Sequence, residues 1–276
     1  MNVLERRHLP PLLAEIHDPP QRLFIRGNGE LALLGGPAVA VVGARACSPY
    51  GKQVARMLGR ELAAAGVVVV SGLARGIDGA AHRGALKTAG HTVAVLGCGI
   101  DRDYPAVHAP LAQAIAERSL LVSEYEPGVE PAPWQFPARN RIIAGMCSAT
   151  VVVEARQRSG ALITADFALE DGREVFAVPG EITSVLSAGT NDLLRLGATP
   201  LTAAADVLES LGIAAEAPPR PEIGATAAAL LARLPATADE LVRSGGLTAA
   251  DVAAGLAELE LVRLVAEGDG IYRALR

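Results

Sequence analysis

The chain has 276 residues, half of them hydrophobic, which is enough for one large domain together with a small one. Its 25 basic and 30 acidic residues give a net charge of −5, which excludes a globally basic nucleic-acid coat protein. Aromatic residues make up only 3% of the chain, so an aliphatic core without extended aromatic stacking platforms is expected. No apolar run approaches the ~18 residues of a membrane span, and residues 1–7 lack a signal-peptide pattern, which predicts a cytoplasmic protein.

The acidic excess is confined to the C-terminal quarter of the chain. Residues 201–276 carry 6 basic and 11 acidic side chains, whereas the charges of residues 1–35 and 36–200 balance. All basic residues except Lys52 and Lys87 are arginines. We favour codon usage as the interpretation of this bias, although the planar guanidinium also binds phosphates through more donors than an ammonium group does.

Residues 1–35 read as a lead-in, in which residues 23–25 are a candidate edge strand. From residue 36 to residue 212, short aliphatic runs alternate with amphipathic segments. Strands are predicted at 38–42, 67–70, 92–96, 120–122, 150–153 and 175–178, and helices at 51–65, 76–89, 106–117, 139–147 and 161–171. Strands buried on both faces and separated by helices predict an α/β fold, a doubly wound and mostly parallel sheet.

The proline-rich stretch 213–224 is predicted to be a linker, and the pattern changes after it. Helices are predicted at 225–233, from Thr237 to Ser244 and from Thr248 to about Glu260, followed by a hairpin of strands 262–265 and 271–274 around a turn at 267–270. Three short helices and a terminal hairpin predict a small winged-helix domain over residues 225–276.

Ligands of parallel sheets bind beyond the carboxyl ends of the strands, so the loops at those ends are the candidate sites. The first loop combines Gly43, Arg45 and Ser48 with a helix N-terminus, whose amides and dipole suit a phosphate. It lacks the second and third glycines of a dinucleotide fingerprint, so NAD binding is not expected. The second loop offers Ser71 and Gly72 to an oxyanion, and a third, at 97–101, is glycine-rich too. Three such loops at successive strand ends predict a path for a polyanion.

An aromatic and basic segment follows at 134–143. Trp134 and Phe136 could each present a ring to a nucleobase, and Arg139 and Arg141 could neutralise phosphates, as in proteins that bind single-stranded nucleic acid. The alternative is that the rings belong to the core and that Arg139 pairs with a glutamate, Glu124 or Glu154. A further loop at 154–164 adds two arginines, then a serine and a glycine at a helix start.

No catalytic constellation stands out. The chain shows no carboxylate pair, metal-ligand cluster, serine–histidine–aspartate arrangement or phosphate-binding loop ending in glycine–lysine–serine or threonine. His82 could pair with Asp78 on one helix face, but a structural histidine is the better interpretation. The three cysteines are widely spaced, which favours buried, reduced thiols over a zinc site. Neither a cofactor nor a metal is expected.

Six ordered blocks resemble the DNA-processing protein A family, also called Smf. The blocks are Val42–Arg45, Ser71–His82, Phe136–Gly145, Glu154–Ala155, Ser159–Thr164 and Ala177–Gly180. The resemblance covers about residues 10–210 and implies an extended Rossmann-like domain that binds single-stranded DNA and loads the RecA recombinase onto it. It further implies a homodimer that acts in natural transformation and homologous recombination without catalytic turnover.

The resemblance also implies a DNA-binding pocket formed by matching positions of this chain. Arg45 would hold phosphate, as would backbone amides near Gly72 and Gly160. The predicted DNA-binding residues are Gly43, Arg45, Ser71, Gly72, Arg75, Phe136, Arg139, Asn140, Arg141, Ser159, Gly160 and Thr164.

Two other functions compete with this one. A Rossmann-like phosphoribohydrolase of the lysine-decarboxylase-like group would process nucleotides, but its Pro-Gly-Gly-x-Gly-Thr motif is absent, since Pro179-Gly180 is followed by Glu181. A transcription regulator would use the winged helix. Its candidate recognition helix contains Asp251, Glu258 and Glu260 without any basic residue, and duplex DNA would repel it. We therefore expect this domain to bind protein, or to pack against a partner subunit, instead of binding duplex DNA.

Overall fold

The computed structural model describes residues 2–214, 223–262, 264–268 and 270–274. The chain divides into two compact units, one ending at residue 215 and the other beginning at residue 216. In the first unit the strands are β1 (Asn2–Glu5), β2 (Arg22–Arg26), β3 (Ala38–Val42), β4 (Val68–Ser71), β5 (Thr92–Val95), β6 (Leu120–Ser123), β7 (Ala149–Val152), β8 (Glu174–Ala177) and β9 (Thr199–Pro200). The helices are α1 (Pro11–Ala14), α2 (Pro49–Ala64), α3 (Ile77–Ala85), α4 (Ala109–Arg118), α5 (Gln135–Gly145), α6 (Gly160–Glu170), α7 (Ala188–Arg195) and α8 (Ala204–Ser210).

The strands of this unit form one sheet in the order β1-β2-β6-β5-β4-β3-β7-β8-β9. The strands from β3 to β9 run parallel, and β1 and β2 are antiparallel additions at one side. Successive side chains of a strand point to opposite faces, and the two faces of β3 accordingly pack into different cores. Val39 and Val41 pack against α2 and α3, whereas Ala40 and Val42 pack with residues of α5 and α6. The predicted doubly wound, Rossmann-like α/β sheet is therefore confirmed.

The strand order reverses at β3. Ala40 of β3 lies opposite Val70 of β4 on one side and opposite Thr150 of β7 on the other. The chain continues from β4 to β6 toward one edge and from β7 to β9 toward the other. The carboxyl ends of β3 and β7 consequently bound a crevice, which is where open α/β sheets bind ligands.

The N-terminal segment is more integral than the sequence indicated. The prediction of an edge strand at residues 23–25 is wrong, because β2 lies between β1 and β6 inside the sheet. Leu23, Phe24 and Ile25 are buried and contribute to cores on both faces of the sheet. β1 is the edge strand, and its side chains are mostly exposed.

The predicted helices are present with shifted ends, and the largest shifts, of four residues each, are at the end of α3 and at the start of α5. Helix α5 begins at Gln135, four residues before the predicted start at Arg139. Pro137 lies in its first turn, where an amide hydrogen has no partner within the helix in any case, so the proline does not delay the start. Phe136, Arg139 and Arg141 therefore all project from one rigid helix. No helix in the described part of the chain has the length and apolar character needed to cross a membrane.

The second unit contains α9 (Ala225–Leu231), β10 (Ala236–Thr237), α10 (Ala238–Gly245), α11 (Ala249–Leu261), β11 (Val265–Gly268) and β12 (Ile271–Ala274). Thr237 and Thr248 cap α10 and α11 by accepting from Glu240 N and Asp251 N, each at 3.2 Å. The predicted winged-helix domain is confirmed, but its first hairpin strand begins at Val265, three residues later than expected. Within the predicted linker 213–224, residues 215–222 lie outside the described part of the chain.

Candidate nucleic-acid interface

A cavity of about 630 Å³ lies at the reversal of the strand order, beyond the carboxyl ends of β3 and β7. Its walls are formed by the loops after both strands, by one side of α5 and by the start of α6. The predicted residues that line it are Gly43, Arg45, Phe136, Arg139, Asn140, Ser159, Gly160 and Thr164. The other four predicted residues do not line it: Ser71 at the end of β4, Gly72 and Arg75 in the loop after it, and Arg141 of α5.

The loop after β3 presents Arg45 to the cavity. Its guanidinium carbon lies 5.4 Å from the centre of the Phe136 ring, within the range of a cation–π interaction. The loop approaches α3 so closely that a Cβ on Gly43 would lie 2.6 Å from Ile77 Cγ1. Glycine at this position thus allows the backbone that carries Arg45 to sit against the sheet.

The start of α2 does not offer the anion site that the sequence suggested. Ser48 N donates to Glu154 Oε2 at 2.9 Å, and the Ser48 hydroxyl donates to the other oxygen of the same carboxylate. Ser48 Oγ also accepts from Gly51 N at 3.0 Å, so the first turn is capped from within the protein. A carboxylate of the chain itself thus occupies the place expected for a phosphate.

The β4–α3 loop is likewise closed by an internal carboxylate. Asp78 Oδ2 accepts from Gly72 N at 3.1 Å and from Ala74 N at 3.3 Å. Between these residues Leu73 adopts a left-handed backbone, with φ of 57°, and its carbonyl accepts from His108 Nδ1 at 2.8 Å. Ser71 is fully buried, and its hydroxyl donates to Val41 O at 2.7 Å. The amide and hydroxyl expected to bind an oxyanion are therefore both engaged inside the protein.

Arg139 is a buried cation beneath the cavity. Its side chain extends from α5 under the sheet ends and donates to Gly72 O at 2.8 Å and to Val95 O. A Cβ on Gly72 would lie 2.5 Å from Arg139 Nη2 and 2.8 Å from Asp78 Oδ2, so the two charges flank this glycine. Burial lowers the pKa of Arg139 to about 10, opposed by the nearby carboxylate, and burial raises the pKa of Asp78.

Arg141 lies outside the cavity, on another side of α5. Its guanidinium nitrogens lie 2.8–2.9 Å from both carboxylate oxygens of Glu124 and 2.9 Å from Asp18 Oδ2. Of the glutamate pairings considered from the sequence, Glu124 is matched with Arg141, and Glu154 with Ser48. Of the other residues singled out in this segment, Phe136 and Arg139 line the cavity, whereas Trp134 is exposed outside it.

The start of α6 differs from the other two helix starts because no internal carboxylate caps it. Ser159 is the N-cap residue and accepts from Ala161 N at 3.3 Å, and no acidic residue occupies the first turn. Asn140 Nδ2 donates to Gly160 O at 3.0 Å and so ties this turn to α5. Thr164, one turn further, completes the wall. The α6 start thus presents amide hydrogens and a positive dipole to the cavity.

Among the lining residues that were not predicted to bind DNA, Tyr104, Arg156 and Arg158 carry an aromatic ring or a positive charge. Tyr104 stacks on Phe136, with ring centroids 5.3 Å apart and an angle of 28° between the planes. Arg156 and Arg158 extend from the loop after β7 and are exposed. Tyr104 follows the third glycine-rich loop, and both arginines belong to a loop at a strand end. Their positions beyond the carboxyl ends of strands could therefore have identified all three as candidate site residues.

The structure brings no acid–base pair together around His82. The Thr92 hydroxyl donates to Val69 O at 2.6 Å and therefore accepts from His82 Nδ1 at 2.7 Å. The histidine is fully buried, which lowers its pKa to about 3 and keeps it neutral. The described residues contain no group of three or more histidine, cysteine, aspartate or glutamate side chains that could hold a metal ion.

Comparison with known proteins identifies both units. A family model described as DNA recombination-mediator protein A matches residues 1–212, and a second, described as the DprA winged helix domain, matches residues 214–270. DNA processing protein DprA of Streptococcus pneumoniae is 50% identical over 200 residues, which make up 71% of this chain and 68% of that protein.

Solved structures agree with the family models. The X-ray structure of DprA from S. pneumoniae superposes with a TM-score of 0.72 at 46% identity and covers 75% of this chain and 73% of that one. A structure of DprA from Helicobacter pylori, described for its single-stranded DNA binding mode, superposes with a TM-score of 0.69 at 33% identity and covers 76% and 94%. This chain therefore belongs to the DprA family of DNA recombination-mediator proteins.

Proposed function

We propose that this DprA-family protein binds single-stranded DNA in the cavity at the ends of β3 and β7. The observation that carries the proposal is the combination of Arg45, Arg156 and Arg158 with the stacked Tyr104–Phe136 pair around one opening. None of these three arginines has an ion-pair partner among the residues that the structure describes. Arginines that track phosphates and rings that stack on bases are the two components of sequence-tolerant single-strand binding.

Discrimination against duplex DNA follows from the shape of this site. The rings of Tyr104 and Phe136 lie in a cavity, so a base must leave the helical stack to reach them. Basic and acidic residues balance over residues 36–200, so affinity is expected to come mainly from the few arginines gathered at the cavity. The relative from H. pylori, whose single-stranded DNA binding mode has been described, supports the same ligand.

We further propose that the protein is a recombination mediator rather than an enzyme. In this role it protects single-stranded DNA in the cytoplasm, acts as a homodimer and loads the RecA recombinase during natural transformation and homologous recombination. Support comes from membership in the DprA family and from the neutral, buried state of His82. If the protein loads RecA, it should shorten the lag before RecA filaments grow on protein-coated single-stranded DNA. An unchanged lag would contradict the proposed loading.

The test of DNA binding is a titration of labelled oligothymidylate and of a duplex of equal length at several salt concentrations. Binding confined to the single strand and weakening with salt is expected, because phosphate contacts release counterions. Failure to bind either ligand, together with release of free base from a nucleoside monophosphate, would instead support a nucleotide-processing enzyme.

We propose that the winged-helix unit binds protein instead of duplex DNA. Its third helix, α11, carries Asp251, Glu258 and Glu260, and a duplex with one charge per ~1.7 Å would repel that surface. Hydrogen bonds with Thr248 in the cap of α11 lower the pKa of Asp251, so this residue carries a negative charge at neutral pH. Deletion of residues 221–276 should leave the affinities for single and double strands unchanged, and a loss of duplex binding would refute the proposal.

A further inference from the structure

A second pair of aromatic residues lies outside the cavity. Tyr125 and Trp134 pack edge to face, with ring centroids 6.1 Å apart and an angle of 82° between the planes. Trp134 is 65% exposed and is the single tryptophan of the chain. The chain has 1 Trp, 4 Tyr and 4 Phe, so the two pairs around the start of α5 hold nearly half of its aromatic residues. In a protein with so few rings, this concentration on an accessible surface needs an explanation other than core packing.

The second pair is continuous with the cavity. Pro133 precedes Trp134 and lines the cavity, as do Phe136 and Pro137 after it. Trp134 itself, the N-cap residue of α5, does not line the cavity. Because residues just before and after it do, Trp134 lies at the rim of the cavity, and its partner Tyr125 adjoins Glu124, which pairs with Arg141.

Acidic side chains lie near Trp134, and arginines offset part of their charge. The segment that carries Tyr125 contains three glutamates, and each pairs with an arginine that also lies 2.9–3.9 Å from a second carboxylate, on Glu5, Asp101 or Asp18. Glu124 pairs with Arg141 at 2.8 Å, Glu126 with Arg22 at 2.9 Å, and Glu130 with Arg102 at 2.7 Å.

Exposure and packing together suit Trp134 to stacking on a base. The Tyr125 ring, itself half-buried, fixes the indole from one direction, so little side-chain freedom remains to be lost when a ligand binds. Every base has a face that can stack, so such a ring contributes affinity without sequence preference.

We propose that Trp134, supported by Tyr125, is a second base-stacking position at the rim of the cavity, which holds a nucleotide of the same strand beyond those inside. The proposal rests on the proposed binding of single-stranded DNA. It differs from docking of a partner protein on the same ring, which would leave DNA binding independent of Trp134.

The experiment compares the full-length wild type with Trp134→Ala and Trp134→Phe, using fluorescence anisotropy on a length series of labelled oligothymidylates. Tyr50→Ala is the matched control, since Tyr50 is an exposed ring (54%) on α2 that does not line the cavity. An abasic oligomer of equal length supplies the phosphates without the bases. Thermal unfolding of each variant verifies that it is folded.

The expected result is a length-dependent loss. Short oligomers bind Trp134→Ala as they bind the wild type, whereas longer ones bind it at least about fivefold more weakly, equivalent to about 1 kcal/mol for one stacked base. Trp134→Phe restores most of the affinity, Tyr50→Ala changes nothing, and the abasic oligomer does not distinguish the variants. Because the chain has one tryptophan, long oligothymidylates should also quench the wild-type tryptophan fluorescence.

Three outcomes are contrary and can be told apart. If the wild type binds oligothymidylates and folded Trp134→Ala binds them equally at every length, the rim position is refuted and single-strand binding stands. If the wild type binds no oligothymidylate, the proposed function itself fails. A loss for the abasic oligomer equal to that for oligothymidylate would also refute stacking.

Discussion

Ser48 and Glu154 form a contact that closes the start of α2. The Ser48 amide donates to Glu154 Oε2 at 2.9 Å across 106 residues of sequence, and the serine hydroxyl donates to the other carboxylate oxygen. Asp78 plays the same part for the β4–α3 loop. Of the three helix starts that follow β3, β4 and β7, only that of α6 lacks such a carboxylate. Internal carboxylates thus occupy the loops before α2 and α3, and the start of α6 keeps its amides open to the cavity.

Glu154→Gln is therefore expected to strengthen binding of oligothymidylate at low salt. The substitution removes a negative charge beside the loop of Arg45, and the difference should shrink as salt screens it. The weakened cap should lower the free energy of unfolding by about 1–2 kcal/mol. Anisotropy titrations across salt concentrations measure the first effect, and denaturant unfolding measures the second.

Glu170→Gln is the matched control for this charge change, because Glu170 is exposed at the far end of α6. Equal or weaker binding by folded Glu154→Gln at low salt would show that the carboxylate does not oppose the ligand.

Arg45→Ala is expected to weaken single-strand binding and its dependence on salt. Loss of one phosphate contact should reduce the slope of log K against log salt by about 0.7 for a single strand. Arg45→Lys should recover the slope but not the whole affinity, because lysine keeps the charge and loses the planar group over Phe136. Arg60→Ala, in which an exposed arginine of α2 beside Glu61 is removed, should change neither quantity. An unaltered slope in Arg45→Ala would place this residue outside the phosphate path.

Arg139→Ala is expected to act on stability first. The substitution leaves Gly72 O and Val95 O without their donor and leaves the Asp78 charge buried without its neighbouring cation. Loss of a buried, hydrogen-bonded charge should cost about 3 kcal/mol or more. Denaturant unfolding followed by the fluorescence of Trp134 reports on this unit. A cost near that of an ordinary surface substitution would mean that Arg139 does not hold the loop.

Arg141→Ala is expected to leave the affinity for short oligothymidylates, which occupy only the cavity, within about twofold of the wild type, because its guanidinium is held by Glu124 and Asp18 outside the cavity. This expectation replaces the one from sequence, in which both arginines of the segment neutralise phosphates. Weakened binding similar to that of Arg45→Ala, in a folded variant, would restore the original assignment.

The sheet and the position of the cavity could be predicted because their signals are local. Buried runs such as residues 38–42 mark parallel strands, and the rule that ligands bind beyond strand ends leads to the right loops. The internal hydrogen bonds of Ser71 and of the Gly72 amide could not be predicted. Their acceptors, Val41 O and Asp78, come within reach only when the loop has folded. The same holds for Arg139 and Arg141, which are two residues apart and face different surroundings because α5 turns by about 100° per residue.

The low aromatic content proved to be a poor guide to the site. A total of 3% excludes many rings but says nothing about where the few are placed. Tyr104 and Phe136 follow different strands and are 32 positions apart in the chain. Their rings stack only because the segments after β5 and β6 pack together in the folded protein. Their meeting depends on tertiary structure, which no count of residues contains.

His82 is expected to make the first unit less stable as the pH falls below 6.5. Its pKa is lowered from 6.5 to about 3 in the folded state by burial, so the unfolded chain takes up a proton that the folded chain refuses. The stabilisation is complete above the unfolded pKa and is lost progressively as the pH falls toward the folded pKa. One such group contributes at most about 1.4 kcal/mol per pH unit. His82→Asn, which can still donate to Thr92 Oγ1, should remove this contribution, and the difference in unfolding free energy between the wild type and the variant, followed by Trp134 fluorescence, isolates it from other titrating groups. A difference that does not change between pH 6.5 and about pH 5 would mean that His82 becomes protonated in the folded protein.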